Sequence, residues 1–196
     1  MNFSFPLIKH ENREGPGILN GALSSRDIKK INDLANTLEP APGTITNDGN
    51  VDKKYRSSDV RWLPYPYEDN NFGWIYDRVQ EFCYEINDQF LHFDILGIGE
   101  KIQHGTYKKG DSYGWHMDVG PHNQSVRKFS LTILLDDPND FKGGDLLFKL
   151  GRDETPVTLH KGDICFFPSY FLHKVTPVTK GIRRSLVVWV SGPPYK

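Results

Sequence analysis

From about Ile98 to Val190 the chain carries no helical pattern of any length. It is broken instead by turn signals at Gly110-Asp111, Pro138-Asn139, Gly143-Gly144, Gly162-Asp163 and Gly181. Apolar, β-branched and aromatic runs bounded in this way read as strands. Two helical periods precede them. Ser24 and Ser25 lead into Arg26-Asp27-Ile28, and Ile28, Ile31, Leu34 and Leu38 recur every three or four positions, predicting a capped helix that ends before Pro40. Trp74, Ile75, Val79, Phe82, Ile86 and Phe90 predict a second helix, with Asn71 as its cap and Gly97 as its stop. Residues 39–55 carry neither period and read as a loop. Helices first and strands afterwards predict an α+β, mainly β domain, a jelly roll with the N-terminal helices packed on one sheet. At 196 residues the chain suits one domain over 1–196, with 1–95 as helical support and 96–191 as the jelly-roll core.

Composition narrows the class of function. With 24 Lys and Arg against 25 Asp and Glu, no cationic field draws the chain to nucleic acid or anionic lipid. Cys83 and Cys165 are the two cysteines, too few for a disulfide scaffold or a thiolate zinc site, and they read as buried free thiols in a reducing compartment. The opening residues Met1 to His10 lack the apolar run of a secretory signal, and no stretch approaches membrane-spanning length. A soluble, cytoplasmic protein is expected.

The segment Tyr113-Gly114-Trp115-His116-Met117-Asp118 places an imidazole and a carboxylate two positions apart. On a strand both project from one face, with Met117 facing away. A second imidazole, His173, follows the apolar run Phe166-Phe167-Pro168. Two neutral imidazoles and one carboxylate on one side of a metal leave the other positions vacant, which suits ferrous iron. Gly181 then opens a β-branched strand whose period of two puts Arg183, Ser185, Val187 and Trp189 on one side, and Arg184, Leu186, Val188 and Val190 on the other. Arg183 and Ser185 together are able to grip a carboxylate. In the strand 129–135, Phe129, Leu131, Ile133 and Leu135 form an apolar face assigned to the helix layer; Ser130, Thr132 and Leu134 are assigned to the cavity. Zinc suits the same ligands, so a zinc-binding cupin-like hydrolase and a non-catalytic jelly-roll binding module remain open at this point. Arg183 discriminates, since a zinc hydrolase has no use for a carboxylate clamp beside its last ligand.

Read together, His116, Asp118, His173, Arg183 and Ser185 resemble the 2-oxoglutarate- and iron(II)-dependent oxygenase superfamily. The run from His173 through Pro177 to Arg183 is similar to its prolyl 4-hydroxylase branch and PKHD-type relatives, as are Tyr107-Lys108-Lys109-Gly110-Asp111, Phe141-Lys142-Gly143-Gly144-Asp145-Leu146 and Lys161-Gly162-Asp163. Arg56-Ser57-Ser58-Asp59-Val60-Arg61-Trp62-Leu63 looks more loosely like a segment upstream of the barrel in that branch. The resemblance implies a double-stranded β-helix and iron(II) held by His116, Asp118 and His173. It further implies 2-oxoglutarate anchored by Arg183 with Tyr107, Ser185 and Thr132, dioxygen, and ascorbate as an accompanying reductant. Trp189 would line the cosubstrate or substrate pocket. The implied reaction is hydroxylation of a prolyl residue in a peptide or protein, with release of succinate and carbon dioxide; another residue, a free amino acid or a small metabolite is the alternative substrate. Leu134 stands where some relatives present a Tyr to 2-oxoglutarate, which bears on cosubstrate affinity. A collagen substrate does not follow, because no secretory signal, retention tail or peptide-binding domain is read from the sequence. A nucleic-acid demethylase is disfavoured, since no Arg follows Arg184 in that strand.

Overall fold

The structure is a computed structural model that describes residues 15–44, 52 and 54–195. The expected absence of a leader at Met1 to His10, and much of the loop read over 39–55, lie outside the described residues. In chain order the elements are β1 (Gly17–Leu19), α1 (Ser25–Ala35), β2 (Ala41–Pro42), β3 (Arg56–Ser57), β4 (Asp59–Trp62), α2 (Gly73–Ile86), β5 (Gly97–Ile98), β6 (Gln103–Tyr107) and β7 (Ser112–His116). There follow β8 (Arg127–Leu134), β9 (Lys142–Gly143), β10 (Leu146–Lys149), β11 (Glu154–Val157), β12 (Ile164–Pro168), β13 (His173–Val175), β14 (Val178–Lys180) and β15 (Arg183–Ser191).

Helix α1 begins as its sequence directs. The Ser24 hydroxyl accepts from the Asp27 amide at 3.2 Å while the Asp27 carboxylate accepts from the Ser24 amide at 3.1 Å. This reciprocal bonding satisfies two amides that a helix start otherwise leaves bare. The bond from the Ser24 side chain holds the Asp27 carboxyl below its ordinary range. The helix closes at Ala35, earlier than the apolar spacing to Leu38 suggests. There Thr37 and Leu38 donate to Leu34 and Ala35, three residues back, and tighten the chain out of the α-helix.

Helix α2 corrects both of its expected ends. A 3₁₀ turn over Asn70–Phe72 leads into it, capped by Asp69, which accepts from the Asn71 amide at 3.0 Å; α2 itself starts after Phe72 with no side-chain cap among the described residues, so Asn71 is not its cap. The far end widens into a π-turn over Asn87–Leu91 and stops at His92, whose φ of 55° is left-handed. The Asn87 side chain clamps that exit by bonding both the amide and the carbonyl of Phe93 at 2.9 Å, so the chain turns before Gly97 is reached.

The strands form two principal antiparallel sheets, neither of them closed. The larger runs β1-β12-β8-β15-β6-β4-β2 with β5 added to β15; the smaller runs β11-β10-β13-β7-β3; β14 pairs with β9. Residues 17–62 thus supply strands to both principal sheets. Period-two alternation splits the large sheet by face. Phe129, Leu131 and Ile133 of β8, Ile164 and Phe166 of β12, and Leu186, Val188 and Val190 of β15 pack outward against Ile28, Ile31, Ile75, Val79, Phe82 and Ile86 of the helices. This is the helix layer on one sheet that the sequence predicts. On the inner face, Leu134 and Phe167 meet Leu146, Phe148 and Val175 of the small sheet in a second apolar cluster. Cys83 and Cys165 are both free and buried, and burial pushes the Cys83 thiol up to about 12. Among the described residues no helix is long and apolar enough to cross a membrane.

Candidate active site

Between the sheets lies a cavity of about 690 Å³. His116 closes β7 and pairs directly with His173, the first residue of β13, so sheet register sets the two imidazoles side by side with ring centroids 4.1 Å apart. The strand argument for Asp118 needs correcting. Strand β7 ends at His116, and Asp118 lies in the turn beyond it, held by its amide donating to the Ser169 carbonyl at 2.8 Å and by Arg127 donating to its own carbonyl at 2.8 Å. Its carboxylate nevertheless reaches both rings: the Nε2 atoms of His116 and His173 stand 3.7 and 3.8 Å from its two oxygens. Met117 turns away and is half exposed at the cavity rim.

Tautomer and charge make this cluster a ligand set. Each imidazole is bonded through Nδ1 to a backbone carbonyl two residues earlier, His116 to Gly114 and His173 to Phe171, both at 2.9 Å. Those bonds fix the proton on Nδ1 and leave each Nε2 lone pair facing Asp118. Burial, reinforced by His173, pushes His116 down to about 3, so it stays neutral. Burial opposes ionisation of Asp118, but the two imidazoles, Ser130 and Arg127 outweigh it and hold the carboxyl below its ordinary range. Asp118 Oδ2 is buried without a hydrogen-bond partner among the described residues. An anionic carboxylate that faces two imidazole lone pairs and has one oxygen orphaned is an arrangement that a divalent cation satisfies and that the described protein groups do not. The three side chains offer ligand atoms within 4.8 Å of one another, and they fit iron(II).

The remaining residues singled out in the sequence converge on the same cavity. Arg183, Ser185, Val187 and Trp189 line it from β15, Thr132 from β8 and Tyr107 from β6. Arg183 is buried, bonds Ser185 Oγ at 3.1 Å, lies 5.7 Å from the Tyr107 ring centre and has no carboxylate partner among the described residues. Gly144, at a φ of +68°, lets it pass: a Cβ there would lie 2.8 Å from Arg183 Cδ. Leu134 belongs to the inner apolar cluster.

Several lining residues escape the sequence reading. Tyr65 lies on the cavity wall, while Tyr67 stacks on it from solvent at 5.3 Å. Trp62 packs 6.1 Å from Trp189. Arg127 sits 4.1 Å over the Trp189 ring and is held in a two-pronged pair with Glu100 at 2.6 and 2.7 Å. Strand parity would place Arg127 with Phe129 on the outer face, but a register shift between Val190 and Ser191 breaks the alternation. Arg56, on β3, enters between the sheets with its ring neighbour Tyr113.

Residues 102–191 match the 2OG-Fe(II) oxygenase superfamily. The PKHD-type hydroxylase YbiX of Escherichia coli is 36% identical over 180 residues, covering 87% of this chain and 74% of that protein. A PKHD-type hydroxylase of Idiomarina loihiensis is 40% identical over 90 residues, 46% of this chain and 41% of that protein. The chain thus spans less than half the length of several curated relatives it matches. Among solved structures, a Pseudomonas putida prolyl-4-hydroxylase superposes with a TM-score of 0.72 at 19% identity, over 91% of this chain and 93% of that one. A Trichoplax adhaerens prolyl hydroxylase, solved with a hypoxia inducible factor peptide fragment, gives 0.74 at 17% identity, over 91% and 84%. These structural likenesses establish the jelly-roll fold.

Proposed function

The chain belongs to the PKHD-type hydroxylases of the 2OG-Fe(II) oxygenase superfamily, and from that premise we propose that it hydroxylates a prolyl residue of a peptide or protein, converting 2-oxoglutarate and dioxygen to succinate and carbon dioxide. The observation that carries this reading is the shared cavity: the His116, Asp118 and His173 cluster and the acid-free Arg183 open into one space. His116, Asp118 and His173 would hold iron(II), which when bound supplies the activation of dioxygen that accompanies oxidative decarboxylation of 2-oxoglutarate and delivers one oxygen atom to the substrate carbon.

The protein's part is placement. Arg183, with Ser185 beside it, presents a planar fork for the far carboxylate of 2-oxoglutarate, and Tyr107 and Thr132 lie along the same wall. The Nδ1 bonds of the two histidines fix ring orientation before any ligand arrives, which lowers the entropic cost of assembling the site. Trp62, Tyr65 and Trp189 provide flat apolar surface on which a proline ring packs and from which water is displaced. A peptide partner agrees with the Trichoplax adhaerens relative, which was solved with one.

The test is incubation of the purified protein with iron(II), 2-oxoglutarate, oxygen and a proline-containing peptide library, following succinate and the gain of one oxygen atom by mass. Succinate and oxidised proline should appear together. Oxidation confined to other residues would overturn the prolyl assignment, and iron-loaded protein that releases no succinate would overturn the hydroxylase reading itself.

A further inference from the structure

The cavity holds two buried arginines without an acid partner among the described residues, and the reading above uses one of them. We propose that the hydroxylation substrate carries a carboxylate and that Arg56 receives it. This rests on the function proposed above and names the class of substrate that the same site takes.

Arg56 is 7% exposed and lines the cavity, yet the acids around that space are engaged elsewhere. Glu100 grips Arg127, Glu68 takes Lys101 at 2.7 Å, Asp59 takes Lys108 at 2.6 Å, and Asp118 faces the imidazoles. The partners of Arg56 are neutral: Ser58 Oγ at 3.2 Å, the Thr44 carbonyl at 2.7 Å and Gln103 Oε1 at 3.0 Å. A guanidinium has five N–H donors, so these bonds leave two unassigned, and they position the group without cancelling its charge. Burying a cation with no counter-charge is unfavourable, a burden that a carboxylate ligand relieves.

The site is also built and close to the chemistry. Arg56 lies 4.5 Å over the Tyr113 ring, which stacks on His116 at 3.6 Å, so the guanidinium is no farther from the imidazole than those two separations together. Gly43 passes directly over it. A Cβ there would lie 2.5 Å from both Arg56 Nε and Ser58 Oγ, so the backbone closes on the guanidinium only because no side chain intervenes. On the β15 wall Trp189 Nε1, buried without a hydrogen-bond partner among the described residues, is likewise a donor. With 2-oxoglutarate on Arg183, the free polar groups of the cavity ask for acceptors, and the strongest acceptor is a carboxylate beside the hydroxylated residue. That carboxylate has two sources, an Asp or Glu side chain next to the target or the end of a chain or free amino acid.

The experiment uses matched probes: proline peptides with Glu or Gln flanking the proline, peptides ending in a free carboxylate or an amide at the proline, and L-proline against L-prolinamide. Binding to the full chain loaded with iron(II) and 2-oxoglutarate is read without oxygen by tryptophan fluorescence, which Trp62 and Trp189 on the wall report, and oxygen is then admitted to read turnover. The acid of at least one pair should bind about tenfold tighter. That preference should collapse in Arg56→Gln and return in Arg56→Lys, which restores charge. The flanking pairs and the terminal pairs separate the two sources. Equal binding of acid and neutral probes to the wild-type protein overturns the proposal even where a variant fails to fold, as does a preference that survives Arg56→Gln. A greater loss of 2-oxoglutarate affinity than of probe affinity in Arg56→Gln assigns the residue to the cosubstrate and also overturns it. Acid-selective binding without proline oxidation would sink the prolyl reading and leave the Arg56 assignment standing, whereas proline oxidation indifferent to the acid would do the reverse.

Discussion

The two faces of the large sheet are made by the same strands and serve opposite ends. Outward, β8, β12 and β15 present Phe129, Leu131, Ile133, Phe166, Leu186 and Val188 to the helices, and each is sealed from water. Inward, β8 and β15 carry Thr132, Arg183, Ser185 and Trp189 into a cavity where, among the described residues, Asp118 Oδ2 and Trp189 Nε1 are buried without hydrogen-bond partners and Arg183 without an acid. Groups on the outer face satisfy one another, so their burial appears as stability. Those on the inner face do not, and their desolvation is offset when a ligand arrives. The difference teaches where to expect each kind of mutational effect.

The outer face should give the largest stability effect. Phe129→Ala, which empties a fully buried site stacked on Phe93, should cost about 3–5 kcal/mol in denaturant unfolding and leave the 2-oxoglutarate affinity of the folded protein unchanged. A drop in affinity without a drop in stability would break the division of faces.

Next comes a pH effect beneath α1. His104, fully buried with Nε2 on Asn32 Oδ1 at 3.0 Å, is pushed down to about 4, first by burial and then by Arg61 and Arg184. Its unfolded value is near 6.5, so the unfolded chain takes the proton first as pH falls. Stability from this group is complete above about pH 6.5 and declines toward pH 4 by about 3 kcal/mol. Unfolding curves through that window for wild type and His104→Gln should differ in slope, and parallel curves would refute the assignment.

The inner face should behave in the opposite way. Arg183→Lys removes the planar fork but keeps the charge, and should weaken 2-oxoglutarate about 10- to 30-fold with little change in unfolding midpoint. A stability loss equal to that of Phe129→Ala would make Arg183 a core residue instead. The smallest effect belongs to the exposed helix start, where Ser24→Ala should cost about 1 kcal/mol and alter no ligand affinity; an unchanged midpoint would show that the reciprocal cap contributes nothing.

The sequence made these faces legible where strands are long. Period two sorts β8 and β15 correctly over Phe129 to Leu134 and Arg183 to Val190, and His116, Asp118 and His173 could be singled out because chemistry restricts their residue types. Its reading fails where local geometry overrides periodicity. Arg127 faces the cavity because of a shifted register, and Asp118 is placed by the Ser169 backbone and Arg127, contacts from distant segments. Arg56 opens the segment that resembles one upstream of the barrel, but it sits on a two-residue strand, too short for alternation to show which way its side chain faces. The stop of the second helix moved because Asn87 makes a side-chain clamp that no apolar spacing encodes.

Equilibrium dialysis against iron(II) without oxygen, with metal counted per chain, examines the heart of this assignment. The wild-type protein should retain one iron, and Asp118→Ala and His173→Ala, folded by circular dichroism, should retain none at the same free metal. Iron bound equally by either variant, or not at all by the wild type, would mean that His116, Asp118 and His173 do not form the metal centre.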